Sequence, residues 1–171
     1  MAGLTRVIFG LGSNLGDRYQ HLSDAVETLR VRIGVLEKIS DLYETPPMGF
    51  EADQDFLNLC LSILTPLSAQ EILQITKEIE AKTGRTWSSE GYSSRPLDID
   101  MIFFGDEIIE QDELIIPHPR FKDRLFVLKP LTDLDVNFID PSSQKSVGQL
   151  LSESIDKSQL TVYEKQIKLY D

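Results

Sequence analysis

Cysteine is almost absent from this 171-residue sequence, and Cys60 is its single example. One cysteine excludes an intrachain disulfide and a metal cluster built on several thiolates. Cys60 lies within an apolar run, where we expect it to pack in a strand rather than to react. Long hydrophobic runs are also missing, since no stretch approaches the roughly 20 apolar residues that span a membrane. The first residues lack the layout of a signal peptide, so a cytoplasmic location is the default expectation.

Basic side chains are scarce relative to acidic ones. Seventeen lysines and arginines stand against 28 aspartates and glutamates, which gives a formal net charge of −11. A chain with that charge repels the phosphates of nucleic acids and the anionic surface of a membrane. We therefore expect neither as a partner. A local basic pocket for one phosphorylated small molecule is still compatible with the overall charge.

The overall composition, with 41% hydrophobic and 26% charged residues, is typical of a globular protein. The length fits one domain, and no repeat, linker or low-complexity segment divides it, so we expect a single domain over residues 1–171. Apolar periodicity predicts the order strand, helix, strand, strand, helix, strand. That order is the βαββαβ signature of a ferredoxin-like α+β fold. Such a fold has an antiparallel sheet, with helices on one face and, we expect, the active site on the other.

Capping and turn signals bound the predicted elements. Asp17 with Gln20, and Ser68 with Glu71, have the spacing of capping boxes at the starts of two helices. The predicted helices cover residues 17–33 and 68–83, with a shorter one near 123–128. The predicted strands cover residues 7–11, 36–43, 56–64 and 97–104. We expect the tail from residue 145 onward to add one helix and one strand.

Strand alternation predicts that one face of the sheet carries the polar side chains. Asp98 and Asp100 of the fourth predicted strand point the same way, and we expect them to lie beside Phe56 and Asn58 of the third. The apolar side chains of both strands point toward the helices, namely Leu57, Leu59, Leu61 and Ile63 on the third strand and Ile99, Met101 and Phe103 on the fourth. One surface therefore combines an aromatic ring, an amide and two carboxylates.

The Asp98-x-Asp100 pair carries the most chemistry. Alternate residues of a strand lie roughly 6.6 Å apart along its axis, with their side chains side by side. Two carboxylates so placed suit one or two Mg²⁺ ions, which take few protein ligands and complete their shells with water and phosphate oxygens. The alternative is a pair of exposed acids at the start of a strand. Because aspartate is poorly suited to strands, we favour the metal interpretation.

Three further motifs each have a structural alternative. The glycine-rich stretch at residues 10–16 misses the dinucleotide-binding spacing, and we interpret it as a tight strand-to-helix turn. The proline-stiffened stretch at residues 45–49 exposes backbone groups that can bind the edge of a flat heterocycle, or it is a simple loop. His118 lies between two prolines and close to three basic residues, Arg120, Lys122 and Arg124. This cluster is either a phosphate site or a solvated basic edge.

These motifs, in this order, resemble the 6-hydroxymethyl-7,8-dihydropterin pyrophosphokinase family of folate biosynthesis. The resemblance covers roughly residues 10–126, about two thirds of the chain. The matching strings are GSNLG at 12–16, YETPP at 43–47, DFLN at 55–58, GR at 84–85, RPLDID at 95–100, PHPR at 117–120 and Phe126. The RPLDID string together with the TPP and PHP strings is highly specific as a set.

The resemblance implies an enzyme that transfers a pyrophosphoryl group from ATP to the hydroxymethyl oxygen of the dihydropterin and releases AMP. Its implied catalytic residues are Asp98, Asp100, Arg85 and Arg95, of which the two aspartates would bind two Mg²⁺ ions. Positioning should dominate such a reaction, and Asp100 is the best candidate for a general base. We expect a monomer whose partners are two small molecules, ATP and the dihydropterin.

The resemblance also implies two sets of binding residues. The implied pterin contacts are Thr45, Pro46, Pro47, Met48, Phe56, Asn58 and Phe126, with the two phenylalanine rings stacking on either side of the pterin. The implied nucleotide contacts are Glu80, Arg85, Arg95, Ile99, His118 and Arg124.

The segment at residues 85–95 departs from the family pattern. Family members usually have further arginines and a Trp-Gly-Pro string there. Positions that differ from the usual residue are Trp87, Gly91, Tyr92 and Ser94, and, ahead of the PHP string, Glu113. Each lost arginine removes a bidentate phosphate donor, so we expect weaker ATP binding or slower loop closure.

A non-catalytic pterin- or nucleotide-binding relative is the alternative function. The net charge and the two aspartates argue against a third function, an RNA-binding module on this fold.

Overall fold

The computed structural model describes residues 3–46, 54–84 and 96–169. Within these ranges no helix is long and apolar enough to cross a membrane. The helices are α1 (Arg18–Arg32), α2 (Ala69–Lys82), α3 (Leu125–Asp135) and α4 (Val147–Glu153), and a 3-10 turn at Phe121–Asp123 precedes α3. The strands are β1 (Thr5–Ser13), β2 (Val35–Ile39), β3 (Tyr43–Thr45), β4 (Phe56–Thr65), β5 (Asp98–Phe104), β6 (Ile109–Gln111), β7 (Leu114–Ile116) and β8 (Thr161–Val162).

Six of these strands form one antiparallel sheet in the order β5-β1-β4-β3-β8, and β2 pairs with β4 beside β3. Strands β6 and β7 form a separate hairpin. Strand β1 is central, so its register decides which side chains meet. Gly12 pairs with Asn58 of β4 and with Asp98 of β5. Gly10 in the same way lies between Cys60 and Asp100. The register therefore brings both aspartates near Asn58.

The two predicted capping boxes behave differently. At α2 the box is complete: the Glu71 amide donates to Ser68 Oγ at 3.2 Å, and the Ser68 amide donates to Glu71 Oε2 at 3.3 Å. At α1 Asp17 accepts from the Gln20 amide at 3.1 Å, but the Gln20 side chain donates to Asp24 instead. The Asp17 prediction is therefore right for the N-cap and wrong for the reciprocal bond.

Two apolar clusters lie on opposite faces of the sheet. Helices α1 and α2 bury Leu22, Leu29 and Ile72 against the leucine face of β4, as the alternation predicts. The second face is also covered in part, because α3 and α4 pack on it through Leu128, Leu131 and Leu150. Helices thus lie on both faces rather than on one, and they confine the open part of the second face to one end of the strands.

Cys60 belongs to the second cluster and is fully buried beneath α3. Burial, with the nearby charges of Asp133 and Asp100, raises the pKa of its thiol. A thiol that stays protonated is a weak nucleophile, so the expectation that Cys60 packs rather than reacts agrees with its surroundings.

The predicted face of Phe103 is wrong. A register shift between β1 and β5 occurs at Ile8 and Phe9, where Ile8 pairs with Phe103 while Phe9 pairs with Met101. The extra residue, Ile102, is a β-bulge, and beyond it the alternation reverses. Phe103 therefore packs in the second cluster, against Phe121 at 5.0 Å between ring centroids, whereas Phe104 takes the helix side.

Candidate active site

A cavity of about 410 Å³ lies where β1, β4 and β5 meet α2 and the segment that leads into α3. It brings together most of the residues predicted from the sequence: Thr45, Pro46, Phe56, Asn58, Glu80, Asp98, Ile99, Asp100, His118, Arg124 and Phe126. The other four predicted residues, Pro47, Met48, Arg85 and Arg95, lie outside the described residues, as does the segment that departs from the family pattern. One cavity therefore collects predicted side chains from Thr45 to Phe126, which are 81 residues apart in the chain.

Glycine in β1 leaves room for the polar side chains of the neighbouring strands. A Cβ atom added at Gly12 would lie only 2.7 Å from Asn58 Oδ1, so a larger residue there would displace the amide. Asn58 Nδ2 in turn donates to Thr45 Oγ1 at 3.3 Å, and both residues are buried. The Asn58 amide is thus held between β1 and β3 with its polar edge at the cavity.

The carboxylate of Glu80 joins α2 to the edge strand β5. Its Oε2 accepts a hydrogen bond from the Ile99 amide at 2.9 Å, and Glu80 is buried. Ile99 lies between Asp98 and Asp100, so this bond fixes the backbone that carries both acids. Glu80 is therefore a support of the carboxylate pair as well as part of the cavity wall.

His118 faces Asp100, with 3.8 Å between its Nε2 and Asp100 Oδ2. Its ring is held from the other side, because Nδ1 accepts a hydrogen bond from the Arg120 amide at 3.1 Å. Burial, together with the charge of Arg124, lowers the pKa of His118 to about 4. The ring is therefore neutral near pH 7, and the bond to Nδ1 leaves its proton on Nε2, which points into the cavity.

Arg124 and Phe126 line the cavity next to each other. The guanidinium carbon of Arg124 lies 5.6 Å from the centroid of the Phe126 ring, within the range of a cation–π contact. Both residues stand at the start of α3, where the Leu125 amide donates to Asp156 Oδ2 at 2.8 Å. The helix start thus places a cation and an aromatic ring side by side at the cavity.

Apart from Glu80, sequence reasoning missed the residues that α2 contributes to the cavity. Leu73, Thr76 and Lys77 line the cavity together with Glu80. Their spacing of three and four residues puts all four on one helix face, and that spacing is the signal that could have found them. Because β5 is an edge strand of the sheet, the cavity continues past it to α2. It therefore does not lie wholly on the face predicted from the alternation.

The donor set at the cavity suits a hard cation. Asp98 and Asp100 offer only carboxylate oxygens, both are partly exposed, and both face the cavity. Within the described ranges no group of three or more histidine, cysteine or acidic side chains is placed to hold a metal ion. Two carboxylates are the usual protein share for Mg²⁺, which keeps several waters and takes phosphate oxygens from its substrate. The residues present fit such an ion.

The fold is that of a known class of mixed α/β proteins with an antiparallel sheet. The chain is similar to the wild-type HPPK-DHPS of Plasmodium falciparum solved with pterin and p-hydroxybenzoate, with a TM-score of 0.72 and 16% identity. The match covers 90% of this chain and 43% of that one. The A437G/K540E variant of that protein gives a TM-score of 0.71, with 90% and 44% covered. The chain thus spans less than half the length of these solved chains.

Sequence comparison is more specific. A model of the 7,8-dihydro-6-hydroxymethylpterin-pyrophosphokinase (HPPK) family matches residues 8–136. Two curated relatives bear the name 2-amino-4-hydroxy-6-hydroxymethyldihydropteridine pyrophosphokinase. That of Bacillus subtilis is 43% identical over 72% of this chain and 74% of its own. That of Porphyromonas gingivalis is 44% identical over 75% and 89%. The chain belongs to the 7,8-dihydro-6-hydroxymethylpterin-pyrophosphokinase family.

Proposed function

We propose that this protein transfers a pyrophosphoryl group from ATP to the hydroxymethyl group of 6-hydroxymethyl-7,8-dihydropterin. The products are the dihydropterin diphosphate and AMP, in folate biosynthesis. The proposal rests on one cavity that collects the carboxylates of Asp98 and Asp100, two phenylalanine rings, the Asn58 amide and the cation of Arg124. In a member of this family, that combination suits a flat heterocycle bound beside a triphosphate.

The pterin is assigned to the end lined by Phe56, Phe126, Asn58, Thr45 and Pro46. Two phenylalanine rings offer flat apolar walls for a bicyclic heteroaromatic ring, which stacks well at offset geometry. The Asn58 amide has both a donor and an acceptor for the polar edge of the pterin. Pro47 and Met48 belong to the same proposal by their position next to Pro46.

ATP is assigned to the remainder of the cavity. Arg124 supplies a planar donor set for phosphate oxygens, and the neutral His118 ring supplies an N–H donor from Nε2. Glu80 and Ile99 line the part of the cavity next to α2 and are assigned to the nucleotide. Arg85 and Arg95 are proposed as further triphosphate ligands on their place in the motif alone.

Asp98 and Asp100 are proposed to bind two Mg²⁺ ions. When bound, the ions would offset the charge of the triphosphate and orient it for attack. In the reaction the hydroxymethyl oxygen forms a bond to the β-phosphorus of ATP. The bond from that phosphorus to the oxygen bridging it to the α-phosphate breaks, and AMP leaves with the electron pair. The hydroxyl proton is lost, and the Asp100 carboxylate is the candidate acceptor.

We also infer that the core of the fold is ferredoxin-like. Strands β1, β4 and β5 with the adjacent pair β2 and β3 follow the order expected for that topology, and α1 and α2 pack on the same face. Strand order supports this assignment, and α3 and α4 are additions on the second face.

The reaction is tested by the identity of the nucleotide product. Wild-type protein is mixed with MgATP, with and without the dihydropterin, and the nucleotides are separated by chromatography. The proposal expects AMP in a one-to-one ratio with consumed pterin, and no AMP when the pterin is left out or a chelator is added. ADP as the product would contradict pyrophosphoryl transfer. Binding of the pterin by calorimetry without any turnover would favour the non-catalytic relative.

A further inference from the structure

We propose that Arg18 is a positioning residue for the pterin end of the cavity, which it holds in place from the opposite face of the sheet. The inference rests on the proposed function, because it assigns Thr45 and Phe56 to the pterin. Arg18 is the first residue of α1 and does not line the cavity. It acts through the backbone that carries the cavity residues.

Arg18 joins the two strands at the point where they separate. Its Nη1 donates to Glu44 Oε2 at 2.8 Å and also to the backbone carbonyl of Asp55 at 2.8 Å. Glu44 belongs to β3, and Asp55 directly precedes β4. The last pair of the β3–β4 ladder is Thr45 with Phe56, and both of these residues line the cavity. One guanidinium therefore fixes both sides of the end of this ladder.

The bonds lie on the face of the sheet opposite the side chains of Thr45 and Asn58. Side chains alternate along a strand, so Glu44 points away from the face that Thr45 shares with Asn58. Glu44 pairs with Leu57, which packs in the same apolar cluster as α1. Arg18 can therefore restrain the backbone at Thr45 and Phe56 without occupying any space that a ligand would use.

The surroundings of Arg18 favour a fixed geometry. Its side chain is only 16% exposed, and its guanidinium carbon lies 5.8 Å from the ring centroid of Tyr163. The Tyr163 amide donates to the Leu42 carbonyl at 2.8 Å, so the C-terminal segment is itself tied to the approach to β3. A partly buried, charge-assisted pair is screened less by salt than an ordinary surface pair. Arg18 is thus enclosed by α1, the end of the ladder and the C-terminal segment.

The test compares steady-state kinetics of Arg18→Gln, Arg18→Lys and the control Arg32→Gln. Arg32 lies on the same helix and donates to Glu78 at 2.8 Å, away from the cavity. We expect Arg18→Gln to raise KM for the dihydropterin about tenfold, with KM for ATP and kcat changed less than about twofold. Arg18→Lys keeps a cation opposite Glu44 and should recover part of the loss. The control should behave as wild type.

A KM for the dihydropterin within about twofold of wild type in Arg18→Gln would overturn the inference. An equal rise in both KM values would overturn it too, because it would show a general loss of structure. If Arg18→Gln does not fold, Glu44→Gln replaces it, since that variant keeps the bond to the Asp55 carbonyl.

A second measurement separates this inference from the proposed function. Hydrogen exchange reports on the backbone whether or not the protein has the proposed activity. We expect faster amide exchange in Arg18→Gln over residues 43–46 and 54–58, with α2 unchanged. An inactive wild type would refute the proposed function, and the exchange data would still decide the role of Arg18. Unchanged exchange over both stretches would overturn that role.

Discussion

At the scale of single residues, two glycines of the central strand leave the space that the cavity needs. Glycine in a strand interior usually costs stability, since it loses more backbone entropy than other residues and has no side chain to pack. Gly10 and Gly12 nevertheless face the cavity between β4 and β5. Their missing side chains leave the space into which Asn58 and Ile102 reach. Small residues in this strand therefore serve the ligand cavity at the expense of packing.

Substitution of Gly12 by alanine should impair pterin binding more than folding. The new Cβ would meet Asn58 Oδ1 at 2.7 Å, and a terminal amide can move where backbone cannot. We expect KM for the dihydropterin to rise about tenfold, the equivalent of one lost hydrogen bond, with KM for ATP little changed. The contrasting variant is Gly10→Ala, whose Cβ meets Ile102 at an ordinary 3.4 Å and should have a smaller effect. Equal KM values for Gly12→Ala and wild type would refute this role of the glycine.

At the scale of elements, local signals predicted most helices and strands, and the errors arise where a neighbouring strand decides. The predicted second strand is divided into β2 and β3. Between β2 and β3, Ser40 Oγ accepts a hydrogen bond from the Cys60 amide at 2.9 Å. A side-chain oxygen there takes the place of a backbone carbonyl of the strand ladder. The bulge that reverses Phe103 likewise depends on the pairing of β5 with β1. The sequence of the irregular segment itself predicts neither feature, because the pairing with the neighbouring strand decides both.

The turn between α3 and α4 depends on one buried carboxylate. Asp140 is fully buried and accepts hydrogen bonds from Ser142 Oγ at 2.8 Å and Ser143 Oγ at 2.7 Å. Burial alone would raise its pKa, but the bonds from Ser143 and Ser142 outweigh burial and lower the pKa below its ordinary value. The unfolded chain therefore takes up this proton at a higher pH than the folded protein does. Stability from Asp140 is complete above about pH 4 and is lost as the pH falls through the lowered pKa.

The Asp140→Asn variant should lose stability at neutral pH and should lose less of it in acid. We expect its free energy of unfolding at pH 7 to fall by about 1–3 kcal/mol, because buried hydroxyl donors lose a charged acceptor. The difference from wild type should narrow as the pH falls below 4 in urea titrations. Asp106→Asn, at an exposed position, is the control and should stay within about 0.5 kcal/mol of wild type. A difference that is constant with pH would contradict the assignment.

At the scale of the whole molecule, the sequence predicted the polar residues of the cavity better than it predicted which helices enclose that cavity. Short motifs predicted Asp98, Asp100 and His118 as site residues, because residue type and spacing are local properties, and the structure places all three at one cavity. Apart from Glu80, the cavity residues of α2 were missed, since Leu73 and Lys77 reach the cavity past β5, the last strand in the order of the described sheet. The cover of α3 and α4 over the second face was missed for a similar reason. Which helix packs where is decided by tertiary contacts and not by local pattern.

The proposed pyrophosphoryl transfer in this cavity depends most directly on Asp98 and Asp100. The most direct measurement is pterin-dependent AMP release by Asp98→Asn and Asp100→Asn beside wild type, at saturating MgATP. As a control, Asp24→Asn removes an acid of α1 that bonds only the nearby Gln20 side chain among the contacts described. We expect at least a roughly hundredfold loss of AMP release in both cavity variants, normal release in the control, and unchanged far-UV circular dichroism in all three. Wild-type rates of AMP release in either cavity variant would contradict this expectation.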